Sequence, residues 1–170
     1  GGRRGGARMS GIAGYLGGPQ PPAILRAMAG KMMHRGQDAF YYEEAPVFLA
    51  VRQLDLANPA VGERFFRDVD HDVAVVFAGE FVNVSEEREL LERKGVRITG
   101  DSVAEVVLRL YEVYGVSSVN RMRGGFAFAI HDPQKDLVFI ARDPLGIQPL
   151  YYATTQSGSF VFASEAKALF

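Results

Sequence analysis

The sequence contains no cysteine and no tryptophan. The first absence removes disulfides, thiolate metal sites and any thiol nucleophile. Charge of one sign is missing as well: 19 basic against 20 acidic residues leave a net charge of −1. No global field therefore draws this chain to nucleic acid or to an anionic membrane, and neither is expected as a partner. Nor does any apolar run approach the roughly 20 residues a bilayer span needs. The opening GGRRGGAR is too short and too rich in glycine to lead into the apolar core of a signal peptide. Residues 1–8 are expected to be a disordered extension or an artefact ahead of a start at Met9, and the chain is expected to be cytoplasmic.

What is present suits a folded domain. At 170 residues with 48% hydrophobic and 23% charged positions, the chain is long enough for one domain and short for two. A globule of this size buries about 70% of its extended surface, so its core needs no staple.

Short β-rich segments occupy both ends of the chain. GIAGYL, AFYYEE, VFLAVRQLDL, RFFRDV and DVAVVFAGEF read as strands from their β-branched and aromatic content. PPAILRAMAGKMMHRG reads as a helix opening on proline and stopped at Gly36. Ser85, followed by Glu86 and Glu87, reads as the cap of another. The clearest helix is DSVAEVVLRLYEVYG, with Val103, Val106, Val107, Leu110 and Tyr114 on one stripe and Gly115 as its stop. Strands resume with GGFAFAIHD, LVFIARD, LGIQPLYYA and FVFASE, separated by turns at DPQKD and TTQSGS. Strands at both ends with helices between them imply α+β architecture.

Chemistry is concentrated in few places. Were Met9 removed, Ser10 would carry a hydroxyl beside a free amine of pKa near 8, so nucleophile and general base would sit on one residue. The plain alternative is an edge-strand serine without a role. His34, His71 and His131 are scattered, form no pair at metal-ligand spacing, and are read as turn or surface residues. RDPLG reads as a turn held by Asp143 and Pro144, whose arginine either pins the loop or binds a ligand.

Eight segments in order, MSGIAGYL, MMHRGQD, LAVRQLDL, VFAGEFVN, LRLYEVYG, MRGGFAFAIHD, ARDPLGIQPLYYA and FASEAKAL, resemble the N-terminal class II glutamine amidotransferase domain of asparagine synthetase-like enzymes. The resemblance covers residues 9–170. It implies the N-terminal-nucleophile hydrolase fold, a four-layer αββα arrangement of two stacked antiparallel sheets. It also implies glutamine hydrolysis by an N-terminal cysteine, with ammonia passed to a separate synthetase domain that would use ATP and Mg. No cofactor is expected in this part of the chain.

The departures from the family pattern are as informative as the matches. Ser10 stands at the cysteine position. The family's asparagine–glycine–glutamate motif, whose asparagine side chain and glycine N–H form the oxyanion hole, is Ala78, Gly79 and Glu80 here. The arginine that grips the glutamine carboxylate falls on Gln53, next to Leu54. The aspartate that binds the substrate's amino group falls on Val103, and a one-residue shift would bring Asp101 or Ser102 closer to it. Arg52 adjoins Gln53, but alternation along a strand turns it to the opposite face. Residues of scaffold type, Arg35, Gly36, Gly79, Glu80, Gly125, Arg142, Asp143 and Gly146, are kept.

Similar degenerate patterns occur in β-lactam synthetases and lasso peptide cyclases, which couple an activated carboxylate to an amine already in the substrate and need no ammonia. The expectation is thus a domain without glutaminase activity that serves a structural or docking role for a synthetase domain or subunit acting on a peptide or small carboxylate. The alternatives are a working hydrolase using processed Ser10, or a glutaminase carrying a cysteine-to-serine change.

Overall fold

Alternation along two continuous apolar strands sets the architecture. In the computed structural model, which describes residues 10–18, 22–53 and 63–170, β5 (Val73–Gly79) and β6 (Phe126–Asp132) are buried along their whole length. Their large side chains, Val73, Val75, Phe77, Phe126, Phe128 and Ile130, face a helical layer. Their small ones, Ala74, Ala78, Ala127 and Ala129, face a second sheet. A strand buried on both faces reads as an unbroken apolar run, as VAVVFA does.

The second sheet has five antiparallel strands in the order β2-β3-β1-β9-β8. These are β1 (Gly11–Leu16), β2 (Asp38–Glu44), β3 (Val47–Gln53), β8 (Tyr151–Thr154) and β9 (Phe160–Ala163). The first sheet has four, β4-β5-β6-β7, completed by β4 (Phe65–Asp68) and β7 (Leu137–Arg142). Leu49, Val51 and Phe162 fill the space that the facing alanines leave, a large-to-small match that lets the sheets pack closely.

Outside the five-stranded sheet, α1 (Ala23–Gly30) packs Leu25, Met28 and Ala29 onto Ala13, Tyr15 and Ala50. Outside the other, α2 (Val84–Arg93) and α3 (Val103–Tyr114) cover Phe77 and Phe128. The result is the expected αββα stack with three apolar layers.

Several elements differ from the sequence reading. The helix expected over 21–36 ends at Gly30 and gives way to a separate 3₁₀ turn, Met33–Arg35. The second helix is capped two residues earlier than Ser85: its N-cap is Asn83, which caps nothing with its side chain. Instead the Asn83 amide bonds to the Arg121 carbonyl and accepts from the Arg123 N–H. The strand expected over 145–153 begins only at Tyr151, because the Asp143 carboxylate folds the preceding residues into a loop. The strand expected over 47–56 is seen to Gln53; Leu54 and the rest of that segment lie outside the described residues, as do residues 1–8 and Met9.

The third helix agrees with its pattern. The Ser102 hydroxyl accepts from the Glu105 N–H at 3.1 Å, and Gly115 at φ +61° ends it. His131 is not a surface residue: it is buried, and its Nδ1 pairs with the Tyr42 hydroxyl at 2.8 Å across the two sheets.

Candidate active site around Ser10

Ser10 immediately precedes β1, the central strand of its sheet and not an edge, and is 2% exposed. Its hydroxyl oxygen accepts a hydrogen bond from the Gly79 N–H at 2.9 Å. The serine's carbonyl accepts from Gln148 Nε2 at 3.2 Å and Arg35 Nη1 at 3.3 Å. The residue is therefore gripped from the opposite sheet, from the loop after β7 and from the 3₁₀ turn after α1.

Each grip has its own support. Gly79 lies at φ +97°, and a Cβ there would sit 2.1 Å from the Gly125 carbonyl oxygen, so only glycine can bring this N–H to Ser10. Arg35 is fixed by an ion pair with Glu165 and passes over Gly11, where a Cβ would stand 2.8 Å from its Cδ. Burial alone would raise the Glu165 pKa, but the bonds from Arg35 and His34 outweigh it and hold the carboxyl below its ordinary value. Asp143 in turn accepts from the Ile147 and Gln148 N–H groups, both at 2.9 Å. Its burial also favours protonation, and these backbone donors again outweigh it, leaving the carboxyl lowered. RDPLG is thus a structural turn that presents Gln148 to Ser10.

A second chain of contacts runs from Gly79 to Gln53. The buried Arg64 guanidinium donates to the Gly79 carbonyl at 2.5 Å, and the Arg64 backbone N–H donates to Gln53 Oε1 at 3.2 Å. Ser10, Gly79, Arg64 and Gln53 are thereby joined in one hydrogen-bonded series. Arg64 and Gln148 were not legible as site residues; nothing in VGERFF or GIQPL distinguishes them from ordinary strand-start and loop polar groups.

The remaining positions divide clearly. Ala78 points its methyl into the layer between the sheets. Glu80 is exposed, and its N–H donates to the Gly125 carbonyl. Val103 opens α3 and packs against the helix-side core. Asp101 is exposed, and the Ser102 hydroxyl, besides capping α3, donates to the Glu63 carbonyl. Arg52 lies on the α1 face, bonded to the carbonyls of Ala29 and Gln37 at 2.9 and 3.0 Å. Leu54 lies outside the described residues.

Far from Ser10, Asp68, His71 and Glu112 place ligand-type atoms within 4.8 Å of one another. The Arg109 guanidinium bonds both carboxylates, at 2.7 and 2.9 Å, and supplies the positive charge a cation would bring.

A two-sheet αββα stack that buries the residue just ahead of its central strand against a glycine N–H is a distinctive frame, and comparison with known proteins agrees with it. The model of the glutamine amidotransferase domain family matches residues 9–170. The chain belongs to this family. Its amidotransferase domain is 36% identical over 147 residues to the glutamine-hydrolysing asparagine synthetase 1 of Bacillus subtilis, covering 86% of this chain and 23% of that protein. It is 34% identical over 169 residues to asparagine synthetase 2 of the same organism, covering 95% and 22%. To asparagine synthetase 1 of Arabidopsis thaliana it is 31% identical, covering 95% and 28%. The chain thus spans about a quarter of the length of these relatives.

Among solved structures, the glutamine phosphoribosylpyrophosphate amidotransferase of B. subtilis, complexed with ADP and GMP, superimposes with a TM-score of 0.77 at 20% identity, over 94% of this chain and 42% of that one. That likeness establishes the N-terminal-nucleophile type of fold for the domain. Among the described residues, no helix is long and apolar enough to cross a membrane.

Proposed function

We propose that this amidotransferase domain does not hydrolyse glutamine and serves as a docking half of a larger, ATP-dependent amide-forming enzyme of the asparagine synthetase type. The observation that carries the reading is the series Ser10–Gly79–Arg64–Gln53: the groups expected to hold or attack an amide, Ser10, Gly79 and Gln53, are hydrogen-bonded within the protein, linked through Arg64. Ala78 supports it, since a buried methyl cannot donate to an oxyanion, and loss of one such donor costs about 10²- to 10³-fold in rate. So does Val103, which has no charge to offer a substrate ammonium. Serine in place of a thiolate adds a further penalty.

A docking role fits the surface beside the site. Val82, Leu145 and Ile147 are 72%, 83% and 65% exposed. Val82 lies beside Gly124 and Ile147 beside Gly125, next to Gly79. In this proposal ATP and Mg are bound by a separate synthetase domain or subunit, the amidotransferase domain needs no cofactor, and the enzyme works in the cytoplasm on a peptide or small carboxylate.

The test is ammonia release from glutamine by the chain prepared with Ser10 as its first residue, and by its Ser10→Cys variant. Neither is expected to exceed the buffer background. Turnover by either at the rate of a working amidotransferase overturns the proposal.

One observation favours a second reading, a hydrolase with Ser10 as nucleophile: the Ser10 hydroxyl already lies 2.9 Å from the Gly79 nitrogen, a natural oxyanion donor. Intact mass of the natural protein decides it. Any residue retained ahead of Ser10 blocks the amine and rejects that reading.

A further inference from the structure

The two open sides of the sandwich are built differently. On one, β2 and β4 close the gap: Phe40 stacks on Phe65 with ring centroids 6.0 Å apart. There Arg67 pairs with Glu44 at 3.1 Å and covers the Tyr42 ring. Both of those edge strands carry charges, a common protection against unwanted strand pairing.

On the other side, the five-stranded sheet overhangs, and β7 and β8 leave a slot of about 460 Å³. Its walls are Ile140 and Arg142 from one sheet, Tyr152, Phe160 and Phe162 from the other, and Leu150 just ahead of β8. Edge strand β8 itself carries neither a charge nor a proline, and its Tyr151 and Tyr152 are 48% and 74% exposed. Among the described residues, the Arg142 guanidinium at the mouth has no hydrogen-bond or ion-pair partner; it lies over Gly146, 3.4 Å from where a Cβ would stand.

The backbone of β8 is oriented for pairing. Across the hairpin, the Thr155 N–H donates to the Ser159 carbonyl. Alternation in an antiparallel ladder then turns the peptide groups of Ala153 toward β9 and those of Tyr152 and Thr154 outward. A free edge, an apolar slot beside it and an unpaired cation at the slot's mouth are the parts that strand addition uses: main-chain bonds for affinity and a side-chain pocket for selectivity.

The geometry points to an extended peptide segment as the occupant, added along β8 as a sixth strand, with one large apolar side chain in the slot and an acidic side chain at Arg142. A second copy of the chain fits less well. A four-residue strand is only about 13 Å long, too short to approach the roughly 1,200 Å² that a stable protein pair buries. This inference concerns a surface apart from Ser10, and its readout does not depend on the chemistry there.

The test is titration of the ¹⁵N-labelled chain with the capped hexapeptide TVFVET, followed by amide and guanidinium chemical shifts. Saturable changes are expected at residues 140–142 and 150–154. Thr154→Pro removes an outward N–H without touching an internal bond, and is expected to weaken binding about tenfold or more while leaving the thermal midpoint in place. Arg142→Gln is expected to weaken TVFVET but not TVFVQT. The inference is overturned if no shifts arise at these residues, if Thr154→Pro binds as the parent does, if Arg142→Gln weakens both peptides alike, or if the chain instead self-associates through β8.

Discussion

Asp143 offers the sharpest test of how the Ser10 region is held. Its carboxylate is 1% exposed and accepts two backbone N–H groups at 2.9 Å, one of which belongs to Gln148, whose side chain reaches the Ser10 carbonyl. Asp143→Asn preserves shape but leaves one acceptor oxygen where there were two, and turns an NH₂ toward a backbone donor. Hydrogen bonds to a charged group contribute about 1.5–3 kcal/mol each, and a buried donor left unsatisfied costs about as much. A loss of about 3 kcal/mol is expected, a fall of about 6–12 °C in melting temperature for a domain of this size.

The pH dependence has a definite sign. Because the folded-state pKa of Asp143 is lowered, its contribution is complete above the unfolded value of about 4 and is lost as pH falls through the folded one. Thermal melts of parent and variant should differ fully at neutral pH and converge under acid. A variant within a degree of the parent at neutral pH, or a gap that survives acidification undiminished, refutes this account of the loop.

Other consequences follow from contacts already described. Gly79→Ala sets a Cβ 2.1 Å from the Gly125 carbonyl oxygen at φ +97°, so it should lose several kcal/mol and much of its soluble yield, whereas an Ala78→Gly control should retain a measurable melting transition. Burial holds the His131 pKa below its ordinary value against the pull of nearby carboxylates. The unfolded chain therefore takes up this proton first, and the contribution of neutral His131 fades as pH falls below about 6.5. Histidine NMR titration reads the shift directly. Tyr42, whose own pKa is pushed up to about 12, chiefly by burial, supplies the bond to His131, and Tyr42→Phe should cost about 1 kcal/mol in denaturant melts.

The strand and helix content was legible wherever a single face or a single periodicity dominates. DVAVVFAGEF, read as a strand from its β-branched content, is one over Val73–Gly79, and the α3 stripe with Gly115 after it located the helix Val103–Tyr114, whose cap at Ser102 the stripe did not single out. Ser85 was read as a cap from its local pattern alone; the helix instead follows Asn83, whose side chain is held by the backbone of Arg121 and Arg123, about forty residues away.

The site divides along the same line. Family motifs locate Ser10, Gly79, Ala78 and Gln53, because a nucleophile, a glycine and their neighbours recur in fixed order along the chain. Which atoms meet was decided by packing the two sheets: Gly79 comes 69 positions along the chain from Ser10 to reach its hydroxyl, and Gln148 comes 138 positions to reach its carbonyl. Arg64 carries no local signal, since an arginine at a strand start is ordinarily solvated; only burial beside the Gly79 carbonyl makes it part of the site. The sequence by itself determined the elements, the family and the identity of the altered positions, all of which rest on short-range patterns. The tertiary structure alone decided how those positions are satisfied and which edge of the sandwich stays open, because hydrogen bonds and slots are properties of distances between segments the chain order keeps apart.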